Sequence, residues 1–416
     1  MTRREHAIGL LQAFFRQPGP LDLSLAAYFR AHPELGVRDR RVVRTLCYAV
    51  VRHRCLLEEE GGVEPAGQLA ALVGLQGGEP DGAPGEEEAC LADLQRRAST
   101  LPTPWQRHSL PSWLWQRLAG DRDEAQAEAL ATFLNGTAPL DLRPSRRRHT
   151  RQTWLERWQE AGFDCRATPW SPWGLRFPQP VSLEGHALFA EGACEVQDEG
   201  SQLIVPLLNP QSGQLLVDLC AGAGGKSLQM ADLLDNRGEV IACDTALNRL
   251  QRLPPRARKS GLSIIHLLPL RHERDKKLLK LAQKADGVLV DAPCSASGTW
   301  RRHPDLKWRA DPGEMAVFPL RQGALLAAGA QLVRPGGRLV YATCSVFAEE
   351  NEKVVSSFLA DYPEFSLVSV TKTLAGFGIV SLPNGEPFLR MVPHVTNTDG
   401  FFAALLMRAS TRNRNR

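Results

Sequence analysis

"DLCAGAGGKS", residues 218–227, decides how this chain folds and opens the question of what it does. The apolar run "LLVDLC" leads into it, and "SLQMADLL", with helical spacing, follows. A strand, a glycine turn and a helix in that order form the usual cradle for an anion. Two nucleotide motifs can be tested against it. The triphosphate loop G-x-x-x-x-G-K-[ST] is met at its end by Gly225, Lys226 and Ser227, but its first glycine falls on Cys220. The dinucleotide fingerprint G-x-G-x-x-G is met by Gly222 and Gly224 and broken by Ser227. What remains is a strand ending in Asp218, a turn open to close backbone approach, and a next strand, "EVIACD", ending in Asp244.

The same rhythm continues outward. Apolar, β-branched runs recur at "SIIHLL" (263–268), "GVLVDAP" (287–293) and "RLVYATCS" (338–345), with helical stretches such as "RQGALLAAGAQLV" between them. Repeated β-α units predict a parallel sheet covered by helices, an α/β fold of Rossmann-like type. "FSLVSV" and "GFFAALLMR" then predict an antiparallel edge. Ligands of such sheets sit at the carboxyl ends of the strands. An acid after the second strand can bind two ribose hydroxyls, and no pyrophosphate is needed. Those features suit S-adenosylmethionine, whose cationic sulfur and amino group favour nearby carboxylates.

Upstream, the texture differs. "REHAIGLLQAFF" sets Ala7, Leu10, Leu11 and Phe14 on one helical face, and Val42, Val43, Leu46, Ala49 and Val50 repeat the pattern. Residues 61–90, with "GGEPDGAPGEEE", read as a polar loop. Helical signal returns and ends at Asn135-Gly136, so residues 1–136 are expected to form an all-α domain. Residues 137–195 read as a small α+β subdomain and 196–416 as the α/β domain, closed by a basic tail, "STRNRNR".

Bulk properties narrow the class. A net charge of +4 over 416 residues excludes a uniformly basic nucleic-acid glue, so any basic surface must be local. The nine cysteines include no C-x-x-C pair, which argues against a zinc ribbon or a disulfide framework and for a reducing compartment. No metal is expected. The N-terminal apolar run is short and broken by Gln12, unlike a secretory signal, and no run of roughly 18 apolar residues is present. A cytoplasmic protein with no membrane partner is expected.

The strongest chemical signal lies at two later strand ends. "DAPCSASGTWRRHPDLKW" places Asp291, Pro293 and Cys294 at one, and "YATCSVFAEENEKVV" places Cys344 at the next. A lone cysteine is by default core packing. Two at neighbouring carboxyl ends point instead to thiol chemistry on one bound ligand.

These stretches, with "DLCAGAGGKS", "EVQDEGSQL" (195–203) and "TDGFFAALLMR", resemble the RNA cytosine-5 methyltransferases of the Sun/Fmu group from about residue 137 to 408. The helical N-terminus, through "RDRRVVRTLCYAVVR", resembles the NusB-like RNA-binding domain of the bacterial members. The resemblance implies a class I methyltransferase sheet, S-adenosylmethionine as cofactor, small-subunit ribosomal RNA as partner, and a cytosine as target. A monomer is expected.

Cytosine C5 is a poor nucleophile, and thiolate addition at C6 converts the ring to an enamine that C5 can use. By resemblance, Cys344 is the nucleophile and Cys294 assists release. Asp291 holds the base near N3, and Lys226 lies beside the reacting groups. The cofactor set is Cys220, Ala221, Gly222, Ala223, Gly224, Gly225, Lys226, Asp244, Arg249, Asp291 and Pro293. Relatives often carry Asp after the third strand to meet adenine; here "IIHLLPLRHE" has none, and backbone groups around Leu268–Leu270 are expected to serve. Arg301, His303 and Lys307, downstream of Cys294, and Arg143 in "LDLRPS" are the expected RNA contacts.

Two other classes stand against this one. A DNA cytosine-5 methyltransferase would use the Pro-Cys cysteine and lack Cys344. A non-catalytic RNA-binding assembly factor would have no need of Cys294, Cys344, Asp291 and Asp244 together.

Overall fold

A computed structural model describes residues 1–75, 94–178, 181, 183, 185–380, 382 and 386–410. The acidic, glycine-rich stretch 77–88, expected from the sequence to be a loop, Cys90 and nearly all of the basic tail lie outside the described residues. The chain divides into two compact units. One comprises Met1–Ala138 with Ser297–Pro312, and the other Pro139–Ala296 with Gly313–Arg416.

The first unit is helical. Its opening helix, Arg3–Arg16, starts on a capping box: Thr2 Oγ1 accepts from the Glu5 amide at 3.2 Å, and Glu5 Oε2 accepts from the Thr2 amide at 2.8 Å. Ala7, Leu10, Leu11 and Phe14 pack inward against Val42, Val43, Leu46 and Val50 of helix Val37–Arg52, as their spacing predicts. Each buried leucine or valine of this set contributes on the order of 2 kcal/mol. The expected loop over 61–90 begins later than predicted, because Pro65–Leu75 is a helix whose Leu69 and Leu72 are buried in the same core. Helix Glu124–Leu134 closes at Asn135, whose amide donates to Ala131 O.

A finding the sequence did not suggest is that residues 297–312 belong to this helical unit. Trp308 packs on the core and its Nε1 donates to Val51 O at 2.7 Å. The Asp305 carboxylate accepts from the Leu21 amide.

The second unit carries both sheets. The smaller is antiparallel, in the order β2-β3-β1-β4, from β1 (Leu140–Pro144), β2 (Arg166–Ala167), β3 (Leu175–Phe177) and β4 (Cys194–Val196). Helix Arg151–Glu160 buries Trp154 and Trp158 against it. This sheet clusters with the larger one, so the boundary expected near 195 separates two layers of one unit.

The larger sheet contains β5 (Leu215–Asp218), β6 (Glu239–Asp244), β7 (Ile265–Pro269), β8 (Ala285–Asp291), β9 (Val333–Thr343), β10 (Phe365–Val368), β11 (Leu389–Met391) and β12 (Phe401–Arg408). Its order is β10-β12-β9-β8-β5-β6-β7, with β11 against β12. The five strands β5 to β9 pair in parallel and β12 joins β9 antiparallel, as the apolar runs predict. Separate apolar clusters cover the two faces, which is why these strands read as continuous hydrophobic runs. The strand order reverses at β5, between β6 and β8, the place where open parallel sheets of this kind bind their ligands.

A candidate active site at the carboxyl ends of the parallel strands

The turn after β5 is held by its neighbour strand. The Ala221 amide donates to Cys243 O at 2.8 Å, and the Gly222 amide donates to Asp244 Oδ2 at 2.6 Å. The other Asp244 oxygen accepts from the Ala246 amide at 2.7 Å. Gly222 and Gly224 have φ of 54° and 88°, and helix Gly225–Leu233 starts directly after them. A Cβ on Gly222 would come within 2.6 Å of the Arg249 guanidinium, and one on Gly224 within 2.3 Å of Leu253. The turn is therefore closed to any side chain.

The residues fit a cationic, ribose-bearing cofactor. Asp218, Asp244 and Asp291 end three adjoining strands, and their charges, after burial, push the Cys220 thiol well above its ordinary range. Cys220 is thereby a neutral packing group. Asp244 retains acceptor capacity on each oxygen beyond its two amide bonds. Arg249, exposed, lies over the Gly222 turn. The backbone expected to read adenine is largely occupied: the Leu270 amide donates to Asp244 O, and Pro269 O accepts from Lys277 at 2.5 Å.

The reacting groups come from the next strands. β8 and β9 pair with Asp291 opposite Ala342, and the Ala292 amide donates to Ala342 O, so the chains diverge together just before their cysteines. Cys294 Sγ and Cys344 Sγ lie 3.4 Å apart. The bond to Cys344, followed by burial, pushes the Cys294 thiol far up, so Cys294 holds its proton.

Beside them Lys226 Nζ donates to Asp291 Oδ2 at 2.7 Å. Burial alone would lower the ammonium, but Asp291, Cys344 and Asp218 together hold it above its ordinary range. Lys226 also stands 5.7 Å from the ring centre of Phe401 at the start of β12. The structure thus joins Lys226, Asp291, Cys294 and Cys344 into one cluster, and Pro293, Ala223 and Gly225 line the same strand ends.

Three of the expected RNA contacts are not surface groups. Arg301 is 1% exposed and Lys307 2%. Lys307 Nζ donates to Arg52 O at 3.1 Å and to Asn135 Oδ1 at 2.8 Å, inside the helical unit. Burial lowers its ammonium to about 7. Arg301 lies over the Phe133 ring, and its carbonyl accepts from Arg52. Arg143, 4% exposed, donates to Gln197 Oε1 at 2.6 Å and to Gly225 O at 3.4 Å, so it braces the glycine turn. These cations follow a motif that reads as basic surface, yet their neighbours are carbonyls and aromatic rings. Only His303, partly exposed and 3.3 Å from Asp22, keeps an accessible side chain.

Sequence reasoning missed Glu350 and Gln322. Glu350 sits in "AEEN", which reads as a solvated acidic run, and Gln322 in a helix read only for its apolar rhythm. Among the described residues, one potential metal-ligand group occurs, His6, His32 and Glu34 in the helical unit. Its donors already face partners, His6 Nδ1 to the Tyr28 hydroxyl and His32 Nδ1 to Glu34. No helix among the described residues is long and apolar enough to cross a membrane.

Comparison with known proteins places this geometry. The family described as 16S rRNA methyltransferase RsmB/F matches residues 205–407, and the ferredoxin-like domain of the RsmF/B-like methyltransferases matches 110–184. "Probable ribosomal RNA small subunit methyltransferase B" of Synechocystis sp. is 30% identical over 98% of this chain and 100% of its own length. "Ribosomal RNA small subunit methyltransferase B" of Citrobacter koseri is 34% identical over 78% of this chain and 70% of its own. The crystal structure of PH0851 superposes with a TM-score of 0.77 at 26% identity, over 97% of this chain and 98% of that one. NSun6 from Pyrococcus horikoshii, solved with SFG, shares the fold with a TM-score of 0.63 at 21% identity, over 72% of this chain and 98% of its own.

Proposed function

We propose that this chain, which belongs to the RsmB/F family of 16S rRNA methyltransferases, methylates C5 of a cytosine in small-subunit ribosomal RNA through a covalent bond to Cys344. The observation that carries the reading is the 3.4 Å approach of two thiols at adjacent strand ends, beside the Lys226–Asp291 pair. In this reading it is a cytoplasmic enzyme acting on small-subunit ribosomal RNA.

The bond between the thiols, followed by burial, raises Cys294, and the reaction requires Cys344 as its thiolate. Cys344 adds to C6 of a cytosine turned out of its stack. Asp291, held by Lys226, meets N3, which takes a proton from the Lys226–Asp291 pair, so the adduct is neutral. The addition makes C5 nucleophilic. S-adenosylmethionine, when bound, supplies an electrophilic methyl group for that carbon; Asp244 and the 220–226 turn are the residues that hold it. Once Cys344 is bonded to C6 it no longer raises Cys294, which gives its own proton to solvent and, when C5 carries both hydrogen and methyl, takes the C5 proton. The C6–S bond then breaks, the electron pair returns to Cys344, and the N3 proton returns to the Lys226–Asp291 pair. One proton is released overall.

The test is methyl transfer from labelled S-adenosylmethionine to 16S rRNA, with bisulfite mapping of the product. Label at one protected cytosine supports the reading. Label absent from every cytosine sinks it and favours an RNA-binding assembly factor.

A further inference from the structure

Glu350 is fully buried, at 0% exposure, and no Arg or Lys pairs with it among the described residues. A carboxylate in that position costs several kcal/mol of desolvation unless its oxygens are well satisfied. Its bonds all lead to the two cysteine loops. Oε2 accepts from the amide of Ser295, next to Cys294, at 2.9 Å. It also accepts from Gln322 Nε2 at 3.0 Å. That same Gln322 nitrogen donates to Pro293 O, on the other side of Cys294, at 3.0 Å. Oε1 accepts from the Ser345 hydroxyl, next to Cys344, at 2.7 Å. The Glu350 carbonyl is fixed in turn by the Tyr341 hydroxyl at 2.5 Å, from β9 itself.

Two residues that could only drift apart as separate loops are thus fastened to one side chain. The loops need this fastening because β8 ends at Asp291 and β9 at Thr343, so both cysteines lie past the ends of their strands. A second set of bonds, Thr343 Oγ1 to Asn351 Oδ1 at 2.5 Å and Asn351 Nδ2 to Ser345 O at 3.0 Å, holds the Cys344 loop to the same turn. We propose that Glu350 is a positioning residue that sets the separation of the nucleophilic and releasing thiols. It touches neither thiol through a hydrogen bond and acts through Ser295, Ser345 and Gln322. The inference rests on the covalent reading of Cys344 given above. The charge of Glu350 also raises the Cys294 thiol, after the contributions of Cys344 and burial.

The experiment uses the full chain with 16S rRNA and S-adenosylmethionine. Glu350→Ala is expected to lower kcat by roughly a hundredfold, the scale of losing an aligned acid-base partner. Cofactor affinity, read by titration with S-adenosylhomocysteine, should stay within about threefold, because the 220–226 turn is untouched. The RNA adduct should outlast that of the wild type on denaturing gels, because release is the step that needs both thiols. Glu350→Gln keeps oxygen and nitrogen groups that Ser345, Ser295 and Gln322 can meet, so it should recover most of kcat, with its pH–rate profile moved to lower pH. Should Glu350→Ala not fold, Gln322→Met, which removes two of the bonds, must show the same selective loss. Wild-type turnover in Glu350→Ala or Gln322→Met overturns the proposal. So does parallel loss of cofactor affinity and turnover, or a Glu350→Gln as poor as Glu350→Ala. Cys344→Ala, run alongside, separates the two levels: its activity would sink the covalent reading itself, whereas its inactivity beside an active Glu350→Ala sinks only the positioning role.

Discussion

The Sγ atoms of Cys294 and Cys344 meet at 3.4 Å although 50 residues separate them in the chain. The bond to Cys344, followed by burial, raises the Cys294 thiol far above its ordinary range. Removal of the two cysteines should have opposite outcomes. Cys344→Ala abolishes methyl transfer. Cys294→Ala permits one methylation and then leaves the protein bound to RNA, visible as a shifted band after denaturation. Normal release from Cys294→Ala together with activity in Cys344→Ala would reverse the assignment.

Lys226 and Asp291 form a pair on the other side of the site. Lys226→Met leaves Asp291 without its cation and frees it from its fixed position. Single-turnover methyl transfer should fall by about 10²- to 10³-fold, the range for losing a placed acid-base group. Binding of S-adenosylhomocysteine should change far less. An equal loss in both would make Lys226 a cofactor ligand first.

Lys307 separates structural from electrostatic roles for a basic residue. Lys307→Met leaves Arg52 O and Asn135 Oδ1 without their donor in a buried place, a cost of about 1–3 kcal/mol. The melting temperature should fall by several degrees. The slope of log affinity for RNA against log salt should stay unchanged, because no phosphate contact is lost. A slope reduced by about one unit would restore Lys307 as an RNA contact.

Asp218 predicts a pH dependence of stability. Burial, more than any other cause, raises its carboxyl to about 7, and Ser227 is its hydrogen-bond donor at 2.6 Å. In the unfolded chain the group titrates near its ordinary value of about 3.9. Between those values the native state holds a proton that the unfolded state has lost. This contribution is fully present below about pH 4 and is lost as pH rises through 7, at up to about 1.4 kcal/mol per pH unit. Glu199, also raised to about 7 by burial, acts in the same direction. Asp218→Asn should flatten the decline of the melting temperature between pH 5 and 8; an unchanged decline would place the proton elsewhere.

Much of the α/β layer was legible in the sequence, because its strands are apolar on both faces and its turns carry glycine where φ is positive. Cys294 and Cys344 were legible because strand order brings consecutive carboxyl ends together. What escaped was direction. "WRRHPDLKWR" and "LDLRPS" announce charge, but charge alone does not say whether a guanidinium meets solvent or a buried carbonyl. Arg143 and Lys307 meet carbonyls or amides within the fold, and the Arg301 guanidinium lies over the Phe133 ring. Glu350 escaped for the converse reason, since an acidic run reads as surface until the burial of one member is seen. The helix Pro65–Leu75 was hidden by the glycines and prolines around it.

Residues 297–312 start three positions after Cys294 and return to the sheet-bearing unit at Gly313. The helical unit is consequently woven from two separate stretches of the chain, and one of them is a loan from the enzyme's own loop. Such a unit cannot be shed or traded in evolution as a bead on a string. Cutting after Ala138 would strand Trp308 and Lys307 without the core that houses them, so a shortened gene would inherit a segment with nothing to pack against.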